Sequence, residues 1–359
     1  MVSTNLEYPL FLNIRLQPVF RLAIIELQHK SNYISYEVQY VHDSQDNSGY
    51  RLLCYHKDGH VDLYEQDHLI KEESVSMDMV EKGLGAYIQT SFSHVVFDIR
   101  DELLYISFSF VDQYHQTHTI DIAEGTTRKT RPFDLLAPLG ESFKEPTYLP
   151  VFFLYDFDFL RKRKSKVRIC IDNKKMKIKN FIYPVPKDAQ WRYYTRFAKS
   201  AQIVEFLSTS QKEIIDVTVA DDAYETKYLR YSFLRKENGV ALERIDVKTN
   251  PAGTSILFTP ALPHLATLKN DERIHGTFDI QGAKQAGSIQ GCYHIRKKNN
   301  RVQFEVTPKD GYKGVANRAF TKMIFQENSV FCKWPKTYHY ESIIDLETKK
   351  IHSFWNRIT

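Results

Sequence analysis

Hydrophobic and polar residues alternate with a period of two along most of this chain, which is the pattern of strands that bury one face. In YISYEVQYV, for example, the alternation places four residues on one side of a strand: Ile34, Tyr36, Val38 and Tyr40. Few stretches show a helical period, and the best of them are residues 76–84 and 194–207. The pattern predicts an all-β protein of antiparallel meanders with few short helices, arranged as one barrel- or sandwich-like unit or as two in tandem.

The clearest hairpin is predicted at Asp58 and Gly59, because both residues accept the positive φ angles of a type I′ turn. Lys57 and His60 are then expected to face each other across the turn. Further hairpins are predicted around residues 112–116, around Asn238 and Gly239, and within residues 291–306 and 343–355.

Residues 149–180, LPVFFLYDFDFLRKRKSKVRICIDNKKMKIKN, combine an aromatic run that holds two aspartates with ten basic residues. A five-residue loop after the aromatic run would pair Phe159 with Val167 on an apolar side. A four-residue turn further on would pair Ile171 with Met176 on the same side. The segment is therefore predicted to be a three-stranded meander with one apolar face and one basic face.

Asp156 and Asp158 would share the polar face of this meander with Arg168, Lys177 and Lys179. Carboxylates at positions i and i+2 of a strand are about 7 Å apart, which overlaps the separations of glycosidase carboxylate pairs. The alternative interpretation makes the aspartates solvated ion-pair partners of the three cations. The basic face also has two interpretations: a surface for an anionic partner, or lysines that prevent edge-to-edge strand pairing.

Pro184 and Pro186 mark the predicted domain boundary, because each proline removes a ladder donor and restricts the residue before it. The chain is expected to divide there into an N-terminal β domain, residues 1–183, and a C-terminal β domain, residues 184–359. A chain of 359 residues is long enough for one large or two medium domains.

The net charge of +5 is local, because residues 161–179 hold ten Lys and Arg residues against the single acid Asp172. Outside that stretch the chain is slightly acidic. This distribution, together with aromatic side chains that point away from the charges, predicts no nucleic-acid partner.

The four cysteines are far apart and form no Cys-x-x-Cys pair: Cys54, Cys170, Cys292 and Cys332. We therefore expect no zinc site, and no motif indicates any other metal or cofactor. The N-terminus lacks the features of a secretory signal, and no run approaches the ~18 apolar residues of a membrane-spanning helix. A cytoplasmic protein without a membrane span is expected.

Two groups of residues carry candidate chemistry. His56, Asp58, His60 and Asp62 have a spacing that suggests metal ligands, but the predicted turn favours an ordinary surface hairpin. On the strand predicted for SHVVFDIRDE, three polar residues point the same way: His94, Asp98 and Arg100. This row is either solvated or, in a barrel mouth or cleft, able to bind a polar substrate group and support proton transfer. The same alternatives apply to a second row: Arg192, Tyr194 and Arg196.

The first functional hypothesis is a protein that encloses a small lipophilic or aromatic ligand in a β-lined cavity. It rests on the surplus of Phe and Tyr on predicted strands and on the absence of a nucleophile motif. Tandem calycin-like barrels would suit the length, but the chain has no Gly-x-Trp lipocalin signature, so this comparison concerns architecture and carries over no residue. The residues predicted to bind ligand are His94, Arg100, Arg168, Lys177, Lys179, Arg192 and Tyr194.

The second hypothesis is an enzyme that acts on a saccharide-like polar substrate in a cleft between sheets. Its candidate acid and base are Asp98 and either Asp156 or Asp158, and the candidate orienting groups are His94, Arg100 and Arg168. The third hypothesis is an interaction module that docks an anionic partner through the basic meander at residues 161–180.

Overall fold

The computed structural model of the protein describes residues 6–28, 31–43, 45–70, 83–125, 132–141, 145–181, 190–237, 239–316, 319–326 and 328–358. Within them the chain forms strands almost throughout and only short helical segments, which confirms the predicted all-β fold. The architecture is sandwich-like, with several antiparallel sheets.

The strands of the first half, numbered along the chain, are β1 (Leu6–Leu10), β2 (Ile14–Glu26), β3 (Tyr33–His42), β4 (Ser48–His56), β5 (Val61–Gln66), β6 (Leu84–Thr90), β7 (Ser93–Arg100), β8 (Leu103–Val111), β9 (Thr117–Ala123), β10 (Phe133–Leu136), β11 (Tyr148–Arg161), β12 (Lys166–Ile171) and β13 (Lys174–Met176).

The strands of the second half are β14 (Arg192–Ala198), β15 (Ser200–Leu207), β16 (Thr209–Glu213), β17 (Ile215–Val219), β18 (Ala223–Glu225), β19 (Leu229–Lys236), β20 (Gly239–Val247), β21 (Ser255–Leu262), β22 (Arg273–Gln281), β23 (Ser288–Lys298), β24 (Arg301–Lys313), β25 (Tyr338–Asp345) and β26 (Lys350–Arg357).

The helical segments are α1 (Ala319–Phe325), a π-helical turn (Asn328–Lys333) and three 3₁₀ turns (Pro138–Glu141, Leu265–Thr267 and Trp334–Thr337). Among the helices of the described ranges, none has the length and apolar character needed to cross a membrane.

The chain folds into two compact units, each built from separate segments. One unit comprises Met1–Gln17, Leu135–Phe153 and Ile203–Thr359, and the other comprises Pro18–Asp134 and Leu154–Gln202. We call them unit 1 and unit 2. The predicted boundary at Pro184 and Pro186 lies outside the described residues and stays a prediction.

Unit 2 holds most of a nine-stranded sheet and the whole of a five-stranded sheet. The first has the order β10-β11-β14-β2-β3-β4-β5-β6, with β15 paired to β11 and β2, and the second has the order β13-β12-β9-β8-β7. Strand β8 shows why the second sheet forms, because Leu104, Ile106, Phe108 and Phe110 are buried while the residues between them are partly exposed. These four side chains belong to the same apolar core as residues of β3 and β4, so the core lies between the two sheets.

Unit 1 is built on a ten-stranded sheet with the order β16-β26-β25-β24-β23-β22-β21-β20-β19-β18, beside a small pair formed by β1 and β17. The two edge strands, β16 and β18, do not pair with each other among the described residues, so this sheet is open. Aromatic side chains pack on it: the ring centroid of Phe206 lies 4.5 Å from Tyr340 and 5.3 Å from Trp355. The predicted hairpins at residues 291–306 and 343–355 are confirmed as β23–β24 and β25–β26.

The hairpin at Gly59 forms with a different register from the one predicted. The His56 N–H donates to the His60 carbonyl at 2.8 Å, and the Gly59 N–H donates to the His56 carbonyl at 3.2 Å. The loop therefore has three residues, and His56 rather than Lys57 faces His60. Gly59 alone takes a positive φ in this loop, 96°, which is the arrangement of a type I turn followed by a glycine bulge.

The predicted pairing between Phe159 and Val167 is wrong, because β11 and β12 belong to different sheets. Strand β12 pairs instead with β9, where Val167 lies opposite Ile122. The prediction assumed that β11 buries one face only, yet nearly all of its fourteen residues are buried, on both faces. A strand that is buried on both faces must pack against other elements on both sides. The predicted meander, with one exposed face, does not provide this packing.

The turn between β12 and β13 is shorter than predicted. Asp172 and Asn173 form it with φ angles of 47° and 63°, so Ile171 lies opposite Lys174 and Ile169 opposite Met176. Asp and Asn tolerate this left-handed conformation, which permits a two-residue loop. The shift is by two residues, so the predicted division into an apolar and a polar face survives for β12 and β13.

The helix considered at residues 194–207 is wrong, since these residues lie in β14 and β15. The β-branched and aromatic residues of this stretch favour strands, and both strands pair within the nine-stranded sheet. The other helical stretch, residues 76–84, lies almost wholly outside the described residues.

Candidate functional site

The predicted polar row on β7 lies on a surface of unit 2. The Asp98 carboxylate pairs with the Arg100 guanidinium and lies 3.2 Å from Arg21 Nη1. These contacts, led by the hydrogen bond from Arg100, lower the pKa of Asp98. His94 is exposed at an irregularity of the strand, with a φ of 54°. In this row, Asp98 and Arg100 therefore form an ion pair, and His94 faces solvent.

Asp156 and Asp158 do not form the predicted pair on one regular strand face. Asp156 has a φ of 51°, which interrupts the alternation of β11. Asp158 is buried, accepts a hydrogen bond from the Phe159 N–H at 2.7 Å, and lies 4.0 Å from Nε of the buried Arg192. Burial raises the pKa of Asp158. Both aspartates lie on β11 in the nine-stranded sheet, whereas Asp98 lies in the five-stranded sheet.

The remaining predicted ligand residues are dispersed. Arg168 is exposed on β12, opposite Asp121 on β9. Lys179 lies 3.2 Å from Glu26, and the Tyr194 ring is stacked with Phe181 at a centroid distance of 6.1 Å. Lys177 is exposed just after β13. The structure does not bring these residues together with Asp98.

A different set of polar side chains does converge, at one end of the sandwich of unit 2. We call it the Asp62 site and define it by five residues: Tyr33, His56, Asp62, Tyr64 and Gln113. Tyr33 lies at the start of β3, His56 at the end of β4, and Asp62 and Tyr64 on β5. Gln113 belongs to the turn between β8 and β9, so both sheets of the unit contribute.

Asp62 is the centre of this site and is fully buried, with 0% of its surface exposed. Its Oδ2 accepts hydrogen bonds from Tyr33 Oη at 2.7 Å, His56 Nε2 at 2.7 Å and Gln113 Nε2 at 2.5 Å. Its Oδ1 is also buried and has no hydrogen-bond partner among the described residues. A buried carboxylate with one vacant acceptor is an uncommon arrangement that calls for an explanation.

The two tyrosines form a directed chain of hydrogen bonds towards the carboxylate. The Gln113 N–H donates to Tyr64 Oη at 2.9 Å, and the two phenolic oxygens lie 2.8 Å apart. Because Tyr33 donates its proton to Asp62, Tyr64 must donate to Tyr33. Burial, followed by the contacts with Tyr64 and Asp62, raises the pKa of Tyr33, and burial likewise raises that of Tyr64. Both phenols therefore stay protonated donors.

A second buried group lies behind the Asp62 site, and we call it the inner triad: Asp112, His118 and Tyr36. His118 Nε2 is 2.9 Å from Asp112 Oδ2, and His118 Nδ1 is 2.9 Å from Tyr36 Oη. His118 shares a buried strand face of β9 with Ile120 and Ile122. Burial lowers the pKa of His118, although the hydrogen bond and charge of Asp112 oppose the shift.

Cys54 lies between the two groups, because it is directly opposite Tyr36 on one side and Asp62 on the other. Burial, and then the charges of Asp62 and Asp112, raise the pKa of this thiol well above its ordinary value. A thiol with a raised pKa is a poor nucleophile at neutral pH, so Cys54 is part of the packing rather than a reactive group.

The Asp62 site reaches solvent through His56 and Tyr114. The His56 side chain is partly exposed, and the Tyr114 ring, 48% exposed, lies 6.3 Å from both His56 and Tyr33. No described residue forms a hydrogen bond with Nδ1 of His56, which leaves that nitrogen available to a bound molecule. A buried carboxylate that pairs with one imidazole nitrogen also occurs in hydrolytic triads, although there the carboxylate contacts Nδ1 rather than Nε2.

The alternation pattern missed this site for two local reasons. A bulge between Tyr33 and Ser35 exposes Ile34 and turns Tyr33 inward, so the predicted face of Ile34 is wrong. The three-residue loop at Gly59 places His56 on the same face as Asp62, which the predicted two-residue turn did not. A three-residue loop at Gly59, applied to the sequence, places His56 and Asp62 on the same face and would have indicated that they pair.

No group of three or more His, Cys, Asp or Glu side chains in the described ranges is arranged to hold a metal ion. Comparison of the chain with protein-family models, curated proteins and solved structures finds no match. Function must therefore be argued from the site itself.

His118 predicts a specific pH dependence of stability. Its pKa is lowered in the folded state from 6.5, so as pH falls below that value the unfolded chain binds a proton that the folded protein resists. The free energy of unfolding should therefore decline as pH falls below 6.5. The decline should be shallower in His118→Gln, measured by urea unfolding between neutral and mildly acidic pH.

The matched control is His115→Asn, which changes an exposed histidine of the adjacent turn to a residue that tolerates its φ of 61°. It should keep the slope of the wild-type protein. Equal slopes in the wild-type protein and His118→Gln would contradict the prediction.

Proposed function

We propose that this protein is an enzyme that acts on a small polar substrate by general acid–base catalysis at the Asp62 site. The observation that carries the proposal is the pairing of partly exposed His56 with fully buried Asp62 at 2.7 Å. A carboxylate only accepts hydrogen bonds, so neutral His56 must carry its proton on Nε2. Its Nδ1 then has a lone pair that can remove a proton from a bound hydroxyl or water.

Each neighbouring group has a part in this proposal. Asp62 fixes the tautomer of His56 and stabilises the imidazolium formed when His56 takes a proton. The donor chain from Gln113 through Tyr64 and Tyr33 holds the Asp62 carboxylate in place. General-base assistance of this kind contributes about 10²- to 10⁴-fold to rate.

The surroundings of His56 favour a substrate that carries hydroxyl groups and an apolar face, as saccharides do. The half-exposed Tyr114 ring offers a flat surface beside His56, and the exposed Gln113 belongs to the same turn. In this proposal the saccharide-like substrate expected from the sequence is retained. His56 and Asp62 take the roles for which Asp98, Asp156 and Asp158 were candidates.

An enclosed lipophilic ligand has less support. Pockets for such ligands measure about 300–1,000 Å³. The apolar cavity beside Val38 and Phe108 in unit 2 has about 10 Å³, and the one beside Phe206 and Phe258 in unit 1 has about 10 Å³. Each has room for about one water molecule. A lipophilic ligand enclosed in either of these two cores would require that core to open.

The test is a screen of glycoside and ester substrates with the wild-type protein and two matched variants. His56→Gln should lose at least about 100-fold in kcat, whereas His60→Gln should keep the wild-type rate. His60 is a suitable control because it faces His56 across the same hairpin and lies further out. Thermal unfolding of both variants should show that the fold is kept.

Three outcomes would overturn the proposal: a wild-type protein inactive across the panel, equal rates in the wild-type protein and His56→Gln, or an equal loss in both histidine variants. A further readout comes from Asp62→Asn. It should depress kcat through the wrong imidazole tautomer and should alter the pH profile, which a purely structural role would not do.

A further inference from the structure

Six of the seven cations of residues 163–177 lie on one exposed surface of unit 2. On β12, Lys166 and Arg168 alternate with Val167 and Ile169, which pack in the core, so the two cations occupy the outer face of the five-stranded sheet. On β13, Lys175 lies opposite Cys170 and therefore shares that face, and Lys177 follows two residues later. We call these four cations, together with Arg163 and Lys164 of the preceding turn, the basic face.

The basic face is poorly neutralised. Of its six cations, none forms a salt bridge with a described residue, and all six are exposed. Asp121 lies opposite Arg168 on the same sheet; it accepts a hydrogen bond from Ser107 and forms no salt bridge with Arg168. Lys179, further along, is paired with Glu26. A set of cations without salt-bridge partners on one face of a sheet produces a local positive potential.

An exposed tryptophan adjoins this surface. Trp191 has 56% of its surface exposed, and its carbonyl accepts a hydrogen bond from the Lys162 N–H at 2.9 Å, directly before Arg163 and Lys164. Lysines on an edge strand can be explained as protection against strand pairing. That explanation does not account for an exposed indole beside them, whereas indole rings are enriched where proteins meet the headgroup region of a bilayer.

We propose that the basic face and Trp191 dock unit 2 onto the surface of an anionic phospholipid membrane. The cations attract the headgroups, and the indole enters the interface between headgroups and acyl chains. Single-stranded nucleic acid is less well matched, because it requires a series of exposed rings on which successive bases stack. Here the Tyr193 ring is covered by Lys162, and Tyr194 is stacked with Phe159.

Tryptophan fluorescence gives a direct assay. The chain has three tryptophans, and Trp334 and Trp355 are only 2% and 4% exposed, so Trp191 reports on the surface. With vesicles of phosphatidylserine and phosphatidylcholine, about 30% anionic, emission should shift to shorter wavelength and the protein should sediment with the vesicles. Pure phosphatidylcholine vesicles should cause neither change, and raising the salt concentration should weaken binding.

Two triple variants that remove the same number of charges distinguish the effect of the basic face on binding from the effect of net charge. Neutralising Lys166, Arg168 and Lys175 to Gln should weaken vesicle binding about 100-fold, at about fivefold for each cation. Neutralising three exposed cations of unit 1 to Gln should not weaken it: Lys236, Lys298 and Arg301. Trp191→Ala should weaken binding about tenfold while retaining its salt dependence.

Four results would overturn the proposal: no binding to anionic vesicles at low salt, equal binding to neutral vesicles, an equal effect of the two triple variants, or tighter binding to a single-stranded oligonucleotide than to vesicles. The assays do not use the Asp62 site, so the outcome is independent of the proposed enzyme activity.

Discussion

Replacing Arg161 with methionine is expected to lower the free energy of unfolding by about 3–5 kcal/mol. Arg161 and Glu124 are only 1% and 2% exposed, and Arg161 Nε lies 2.5 Å from Glu124 Oε1. The same carboxylate oxygen accepts the Arg161 N–H at 2.8 Å, and Arg161 Nη2 donates to the Glu102 carbonyl at 2.7 Å. Removing the guanidinium would leave a buried carboxylate without its counter-charge, which is why the expected loss is large.

A double variant identifies the cause of that loss. Glu124→Gln combined with Arg161→Met removes both charges, so it should be more stable than Arg161→Met alone. Arg100→Met is the matched control, because Arg100 likewise pairs with a carboxylate, that of Asp98, but is exposed. Its unfolding midpoint in urea should not change measurably. If Arg161→Met and Arg100→Met unfold at the same urea concentration, the buried pair is not important for stability.

The sequence predicted the strands well where one face is buried and the other is exposed to solvent. Strand β8 and the turn after it are examples, since its alternation and the position of residues 112–116 are both found in the structure. The same reasoning failed for β11, where polar and apolar residues are buried together. Alternation identifies a strand, but it selects a pairing partner only when the two faces differ in their surroundings.

The Asp62 site could not be predicted from the same pattern, because it depends on two departures from regular strand geometry. The bulge at Ile34 and the glycine bulge at Gly59 each change which face a side chain occupies. Bulges commonly re-aim side chains near functional sites. Among the acids and cations proposed from regular alternation, by contrast, Asp98 and Arg100 pair on the surface and Asp158 lies beside Arg192 in a buried setting. Arg168 and Lys177 are exposed on the basic face.

Asp112→Ala is expected to have the second large effect, a loss of about 3 kcal/mol in the free energy of unfolding. Asp112 Oδ1 accepts the N–H groups of Tyr114 and Gln116 at 2.9 and 2.8 Å, while Oδ2 contacts His118 Nε2 at 2.9 Å. Alanine would leave these three donors without this partner, and the one on His118 is buried. The turn that carries Tyr114 would also lose its main constraint. Urea unfolding of the variant measures the loss.

Asp58→Ala serves as the matched control for this substitution. Asp58 also accepts a turn N–H, from His60 at 3.1 Å, but it is exposed, so its replacement should change the unfolding midpoint far less. An equal loss in both alanine variants would show that burial of Asp112 is not the reason for its importance.

Asp112→Asn separates the hydrogen bonds of Asp112 from its charge. A carboxylate requires His118 to donate through Nε2, so Nδ1 accepts from Tyr36 Oη. With an amide in place of the carboxylate, His118 can exchange tautomers, accept at Nε2 from the Asn side chain and donate through Nδ1 to Tyr36. The amide oxygen still accepts from the turn. Asp112→Asn should therefore lose less stability than Asp112→Ala, and an equal loss would mean that the negative charge, rather than the set of hydrogen bonds, stabilises the inner triad.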